Sequence, residues 1–154
     1  MSQTTVTQYG AAGFAGLLAH NGDNNIMSYS AEGAIGFGVP VTLGTNKERQ
    51  VLAVGTGVGQ GALAIGIAVS GIVEQASNGT AAYAATDTVG VLKRGRIWVN
   101  TEDAVVAGAV ANLKLASGKF TDEAVAAGIE SFTQFTARFI TGTTGAGLAI
   151  VEIK

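Results

Sequence analysis

The 154-residue chain has no cysteine, one histidine and one proline. Without thiols there is neither a disulfide framework nor a thiolate metal site, and His20 alone cannot build an imidazole cluster within one chain. Charge is also scarce, at 13% of residues, and nine basic against eleven acidic side chains leave a formal charge of -2. Such a balance supplies no clustered positive field to gather a phosphate backbone, so nucleic acid is not an expected partner. The opening residues, MSQTTVTQYG, lack a basic start followed by a long apolar run, so no signal peptide is expected. One uncharged stretch, residues 50–73, is long enough to cross a bilayer. Its six glycines, two leucines and interspersed Thr, Gln and Ser argue for buried strands instead, and no membrane association is expected.

What the chain does have is small side chains: 23 glycines and 26 alanines. These suit closely approaching backbones and tight turns rather than a helix-rich core. From residue 31 onward, short strand-forming runs alternate with turn signals, which points to an all-β fold, a compact antiparallel β-barrel or sandwich. The runs are AIGFGVPVTLG at 34–44, RQVLAV at 49–54, ALAIGIAVSGIVEQ at 62–75, VGVLKRGRIWVN at 89–100, AVANLKLASGKFT at 109–121, IESFTQFTARFI at 129–140 and GLAIVEIK at 147–154. Pro40, lacking an N–H, suits an edge or strand-entry position. The run at 89–100 reads as one bent strand or two, kinked at Gly95, and Ser117-Gly118 closes a half-buried strand. At most one short helix is expected, in TDEAVAAG at 121–128, with Thr121 as cap and Gly128 as stop. Residues 1–30 form an extended N-terminal arm, ending in the turn-rich NGDNN and IMSYS, set apart from a barrel or sandwich domain at 31–154.

Three patterns could carry chemistry. Gly57-Val58-Gly59-Gln60-Gly61-Ala62 matches the weaker form of a dinucleotide-binding loop, G-x-G-x-x-A, after the strand-like VLAV. The fingerprint requires a helix next, but β-branched Ile65, Ile67, Val69, Ile72 and Val73 follow, with Gly66 and Gly71 among them. Each glycine would cost a helix about 0.5–1 kcal/mol. The stretch therefore reads as a hairpin-like joint between strands, and no cofactor is expected. His20, beside Asn21, Gly22 and Asp23, sits where nothing would fix a catalytic base, and Asp23 alone is too little for a calcium loop. Glu102-Asp103 and Asp122-Glu123 are adjacent pairs that point to opposite faces of a strand, so neither forms an acid–base dyad. Lys93, Arg94 and Arg96 beside Trp98 make the one basic cluster with an aromatic, read as structural or protein-contacting.

The succession SYSAEGAIGFGVPVTLGT at 28–45, GIAVSG at 66–71, VGVLKRGRIWVN, AGAVANLKLASGKFT at 107–121 and GLAIVEIK resembles head cement, or decoration, proteins of tailed bacteriophages. The likeness runs from about residue 10 to the C-terminus. It implies a protein without catalytic activity, cofactor or metal, made in the host cytoplasm and placed on the outer surface of the capsid. There it would bind the major capsid protein, brace contacts between capsid subunits, and associate with itself as a homodimer or homotrimer. Apolar residues of the arm, Phe14, Leu17, Leu18, Ile26, Met27 and Tyr29, are the expected capsid or oligomer contacts, because such surface gains about 25 cal/mol per Å2 when covered. The alternative function is a carbohydrate-binding β module on the virion surface, for which Tyr9, Tyr29, Tyr83 and Trp98 would have to stack on sugars.

Overall fold

Residues 13–19, 22–70 and 82–154 are described by the structure, a computed structural model. In chain order the strands are β1 (Asn25–Ala31), β2 (Ile35–Gly36), β3 (Pro40–Leu43), β4 (Gln50–Ala53), β5 (Ala64–Ala68), β6 (Ala82–Tyr83) and β7 (Thr88–Thr101). Then come β8 (Asn112–Lys114), β9 (Lys119–Thr121), β10 (Ile129–Glu130), β11 (Ala137–Phe139) and β12 (Gly147–Ile153), and the helix α1 covers Gln60–Leu63. The all-β class follows from the small and β-branched runs, which fill pleated, half-buried surfaces well.

Five strands close a barrel in the order β1-β4-β3-β5-β7, with β7 returning to β1. Its pairings are antiparallel except β1 with β4, which run parallel through Ser30–Gln50 and Ala31–Val51. Ala31, Ile35, Val41, Val51, Ala68, Tyr83, Val89 and Val91 fill the interior. Pro40 takes the strand-entry position on β3, where its missing N–H costs the ladder least.

The 14-residue β7, about 46 Å long at 3.3 Å per residue, belongs to both halves of the molecule. Its first half lies between β1 and β5, and its second half pairs with β12 from Gly95–Ile153 to Thr101–Gly147. Beyond β12 the sheet continues to β11, and on the other side Thr101 meets Phe120 of β9, which pairs with β8. The sheet curls until Val110 bridges Arg138. Inside it lies the larger core, where Phe120, Phe139, Val99, Val151 and Ile153 meet Ile67 and Leu92 from the outside of the barrel.

Leu92 and Ile97 face that same core although they are an odd number of positions apart in sequence. Strict alternation would put them on opposite faces, so the strand takes up an irregularity between them. Gly95, at φ +136°, supplies it, and a Cβ there would collide with the Asn24 side chain. The sequence-based kink at this glycine is thus the pivot between the two halves.

Two expectations are corrected. The helix is not at 121–128: Thr121 is the last residue of β9, its hydroxyl accepts the Glu123 N–H at 3.2 Å, and Asp122 accepts the Val106 N–H at 2.9 Å. These contacts take up the groups that would have capped and started a helix. The helix is instead the single turn Gln60–Leu63, inside the glycine-rich joint. That joint is not a hairpin either, because β4 and β5 lie on opposite sides of β3. β1 itself runs across residue 30, with Ser30 and Ala31 paired to Gln50 and Val51.

Candidate interaction surface

Gly13–Ala19 runs as a strap along the second half of β7. The Gly16 N–H donates to the Trp98 carbonyl at 2.8 Å, the Trp98 N–H to the Leu17 carbonyl at 2.9 Å, and the Ala19 N–H to the Arg96 carbonyl at 2.9 Å. The Ser70 N–H donates to the Gly16 carbonyl at 2.8 Å, so the strap also meets the residues that follow β5. Only glycine fits at position 16: φ is +87°, and a Cβ would stand 2.7 Å from that of Phe37.

The six expected contact residues are therefore divided between two edges of β7. Phe14, Leu17 and Leu18 lie on the strap, whereas Ile26, Met27 and Tyr29 lie on β1. Leu18 bridges Ile97 and packs on the larger core, and Tyr29 packs on the barrel core with the Lys93 ammonium 5.6 Å from its ring centre. Phe14, Ile26 and Met27 remain 51%, 42% and 48% exposed. Sequence reasoning missed Val58 and Leu63, which are 92% and 57% exposed on the joint before β5. An apolar residue between glycines, outside any alternating run, was the available signal for Val58.

Both arginines of the basic cluster are paired within the chain. Arg94 meets Asp23 at 3.0 Å, Arg96 meets Glu152 at 3.0 Å, and burial lowers the Lys93 pKa. Glu152 is shared with Lys154 at 2.9 Å, and these hydrogen bonds, Lys154 first, hold its carboxyl below the ordinary 4.5. The two acidic couples meet around Lys114, which lies 3.0 Å from Asp103 and 3.8 Å from Glu123; the Asp103 hydrogen bond leads in raising its pKa. Lys119 stands 3.5 Å from Glu102. This is a charge network that pins the β8–β9 hairpin to the end of β7. His20, Asn21 and Tyr9 lie outside the described residues. Of the remaining aromatics considered for sugar stacking, Tyr83 is buried with its hydroxyl donating to the Val69 carbonyl at 2.5 Å, and Trp98 lies beneath Gly13.

The glycine loop does bind an anionic group, but one from its own chain. The Glu130 carboxylate on β10 accepts the Gly59 N–H at 2.5 Å and the Gly61 N–H at 2.7 Å. Thr133 adds a hydrogen bond to the Ala62 carbonyl at 3.1 Å. The amides that a dinucleotide phosphate would need are thus occupied by a structural tie 69 and 71 residues away in sequence.

The sequence model of the family described as "Structural cement protein (E217 gp24/Pam3 gp6)" matches residues 2–154. The chain belongs to this family of phage structural cement proteins. Membership gives it a structural role in the phage capsid. A chain in the solved structure "The capsid of Myoviridae Phage XM1" superimposes with a TM-score of 0.71 over 98% of this chain and 96% of that chain, at 17% identity. At that identity the likeness speaks for the fold. No curated protein matches the chain. Among the described residues no helix is long and apolar enough to cross a membrane.

Proposed function

We propose that the protein binds the outer surface of the assembled phage head and stabilises contacts between major capsid proteins, acting by adhesion and without catalysis. The observation that carries this reading is the cement-family match across residues 2–154. The geometry supports it: charged clusters are tied within the chain, while exposed Phe14, Ile26 and Met27 leave apolar surface for a partner. Leu17, Leu18 and Tyr29 complete the proposed contacts: Leu18 packs on the larger core, Tyr29 on the barrel core, and the Leu17 carbonyl accepts the Trp98 N–H. Many weak attachments on a repeating shell add up to firm retention. Self-association as a dimer or trimer belongs to the same proposal.

The test is reconstitution. Purified protein is added to shells lacking it, and bound protein and the temperature of shell disruption are measured. Attachment with a raised disruption temperature supports the proposal; no gain at saturating protein contradicts it.

A further inference from the structure

We infer that the outer edge of β1 is a strand-docking edge that takes an extended, acidic segment of the capsid subunit into the barrel sheet. This rests on the cement reading above and names where and how the shell is engaged. In an antiparallel pair, successive residues point their backbone groups alternately toward the partner and away from it. The Ala31 N–H donates to the Asp87 carbonyl beside β7 at 2.8 Å, whereas the Ser30 N–H donates to the Arg49 carbonyl, on the other side, at 2.8 Å. With the register Ser28–Gly90 and Ile26–Leu92, the N–H and C=O groups of Ser28 and Ile26 therefore point away from β7. On that side β4 begins only at Gln50, opposite Ser30. Among the described residues nothing pairs with Ser28 or Ile26 there.

Strand edges left open are ordinarily blunted by Lys, Pro, bulges or a covering element, because they invite pairing. Asn25-Ile26-Met27-Ser28 carries no charge and no proline, its one irregularity is the register shift between Asn25 and Ile26 at its start, and all four residues are exposed. The free run has room for a segment of about four or five residues, roughly 15 Å. Such an added strand gains affinity from main-chain hydrogen bonds and specificity from the side chains alongside, here Ile26 and Met27.

Charge selects the occupant. Arg49 adjoins Ser30, Lys93 lies over Tyr29 and Arg94 pairs with Asn25; these three cations outnumber Asp23, which already faces Arg94, and Glu48, which precedes Arg49. A second copy docking edge to edge would bring these cations together, whereas an acidic segment would be attracted by them.

The decisive variant is Ser28→Pro. It removes only the outward N–H and obstructs an incoming strand, while the bonds from Met27 and Tyr29 to β7 stay in place. Attachment to shells lacking the protein is compared for wild type, Ser28→Ala and Ser28→Pro. Wild type and Ser28→Ala should attach alike, and Ser28→Pro at least about tenfold more weakly, the loss of one hydrogen bond plus a clash. Circular dichroism verifies that the variant is folded. Should Ser28→Pro not fold, wild-type hydrogen exchange replaces it: the Ser28 and Ile26 amides should become protected on attachment, and unchanged exchange overturns the inference. Equal attachment of a folded Ser28→Pro sinks the edge while leaving the cement reading intact; failure of wild type to attach sinks both. Protection of Ser28 already present in the free protein, removed by dilution or by deleting residues 1–12, would assign the edge to a second copy or to the chain's own N-terminus and overturn the capsid occupant.

Discussion

Replacing Glu130 by Ala should loosen the joint that precedes β5. Its carboxylate accepts two backbone N–H groups, from Gly59 at 2.5 Å and Gly61 at 2.7 Å. A hydrogen bond to a charged group contributes about 1.5–3 kcal/mol net when sheltered. Gly61 is buried but Gly59 is only half-buried, so water can take over part of the second bond. The loss should be about 2 kcal/mol, which for a chain of this size lowers Tm by roughly 4–8 °C. Because the loop packs tightly on β10, with a Cβ at Gly61 reaching within 2.6 Å of the Ser131 carbonyl, the damage should stay local and leave the barrel intact. Thermal melts followed by circular dichroism give the size of the effect, and amide exchange in 55–63 gives its place. A Tm unchanged within 1 °C, a threshold far below the roughly 2–4 °C expected per kcal/mol, or loss spread evenly over β1 and β7, would refute the tie as described.

Other expected outcomes concern the pivot, the acid limb and the N-terminus. Gly95→Ala must hold alanine at φ +136° against Asn24 and should cost about 2–3 kcal/mol, measured by urea unfolding. The Glu152 and Glu32 carboxyls are held below 4.5, the first by Lys154 and Arg96, the second by the Thr45 hydroxyl and then its N–H. A depressed carboxyl contributes stability above its unfolded pKa and loses it as pH falls through the folded one, so Tm should fall on acidification below about 4.5. Glu152→Gln should show a shallower fall over that window and a slightly lower Tm at neutral pH. Deleting residues 1–30 removes most of β1 and should unfold the barrel. Phe139→Ala, at a fully buried site in the larger core, should cost about 3–5 kcal/mol by the same unfolding assay.

The strands that sequence made legible are those whose own pattern decides them. GLAIVEIK buries Ala149, Val151 and Ile153 in strict alternation, and the turn at Ser117-Gly118 closes the β8–β9 hairpin. Gly95 was visible because a glycine amid strand formers signals a bend. β1 was hidden, since the Asn-rich turn before it and Ser28 and Ser30 within it resemble a loop; its place depends on β7 and β4 on either side. The order β4-β3-β5 is equally long-range, as adjacency in sequence favours pairing that the barrel does not use. The capping chemistry of Thr121 was real but served a two-residue turn. The Glu130 tie and the Lys114 network join residues far apart in the chain, and no local spacing marks them. The proposed contacts were half legible: apolarity of Phe14, Ile26 and Met27 was plain, but only tertiary packing separates them from Leu18 and Tyr29.

The central claim is that the protein's role is to hold capsid subunits together. The most direct measurement is the disruption temperature of phage shells prepared without the protein and titrated with it. A saturable rise that follows the amount bound is the expected result. Shells that bind the protein to saturation yet disrupt at the same temperature would contradict it.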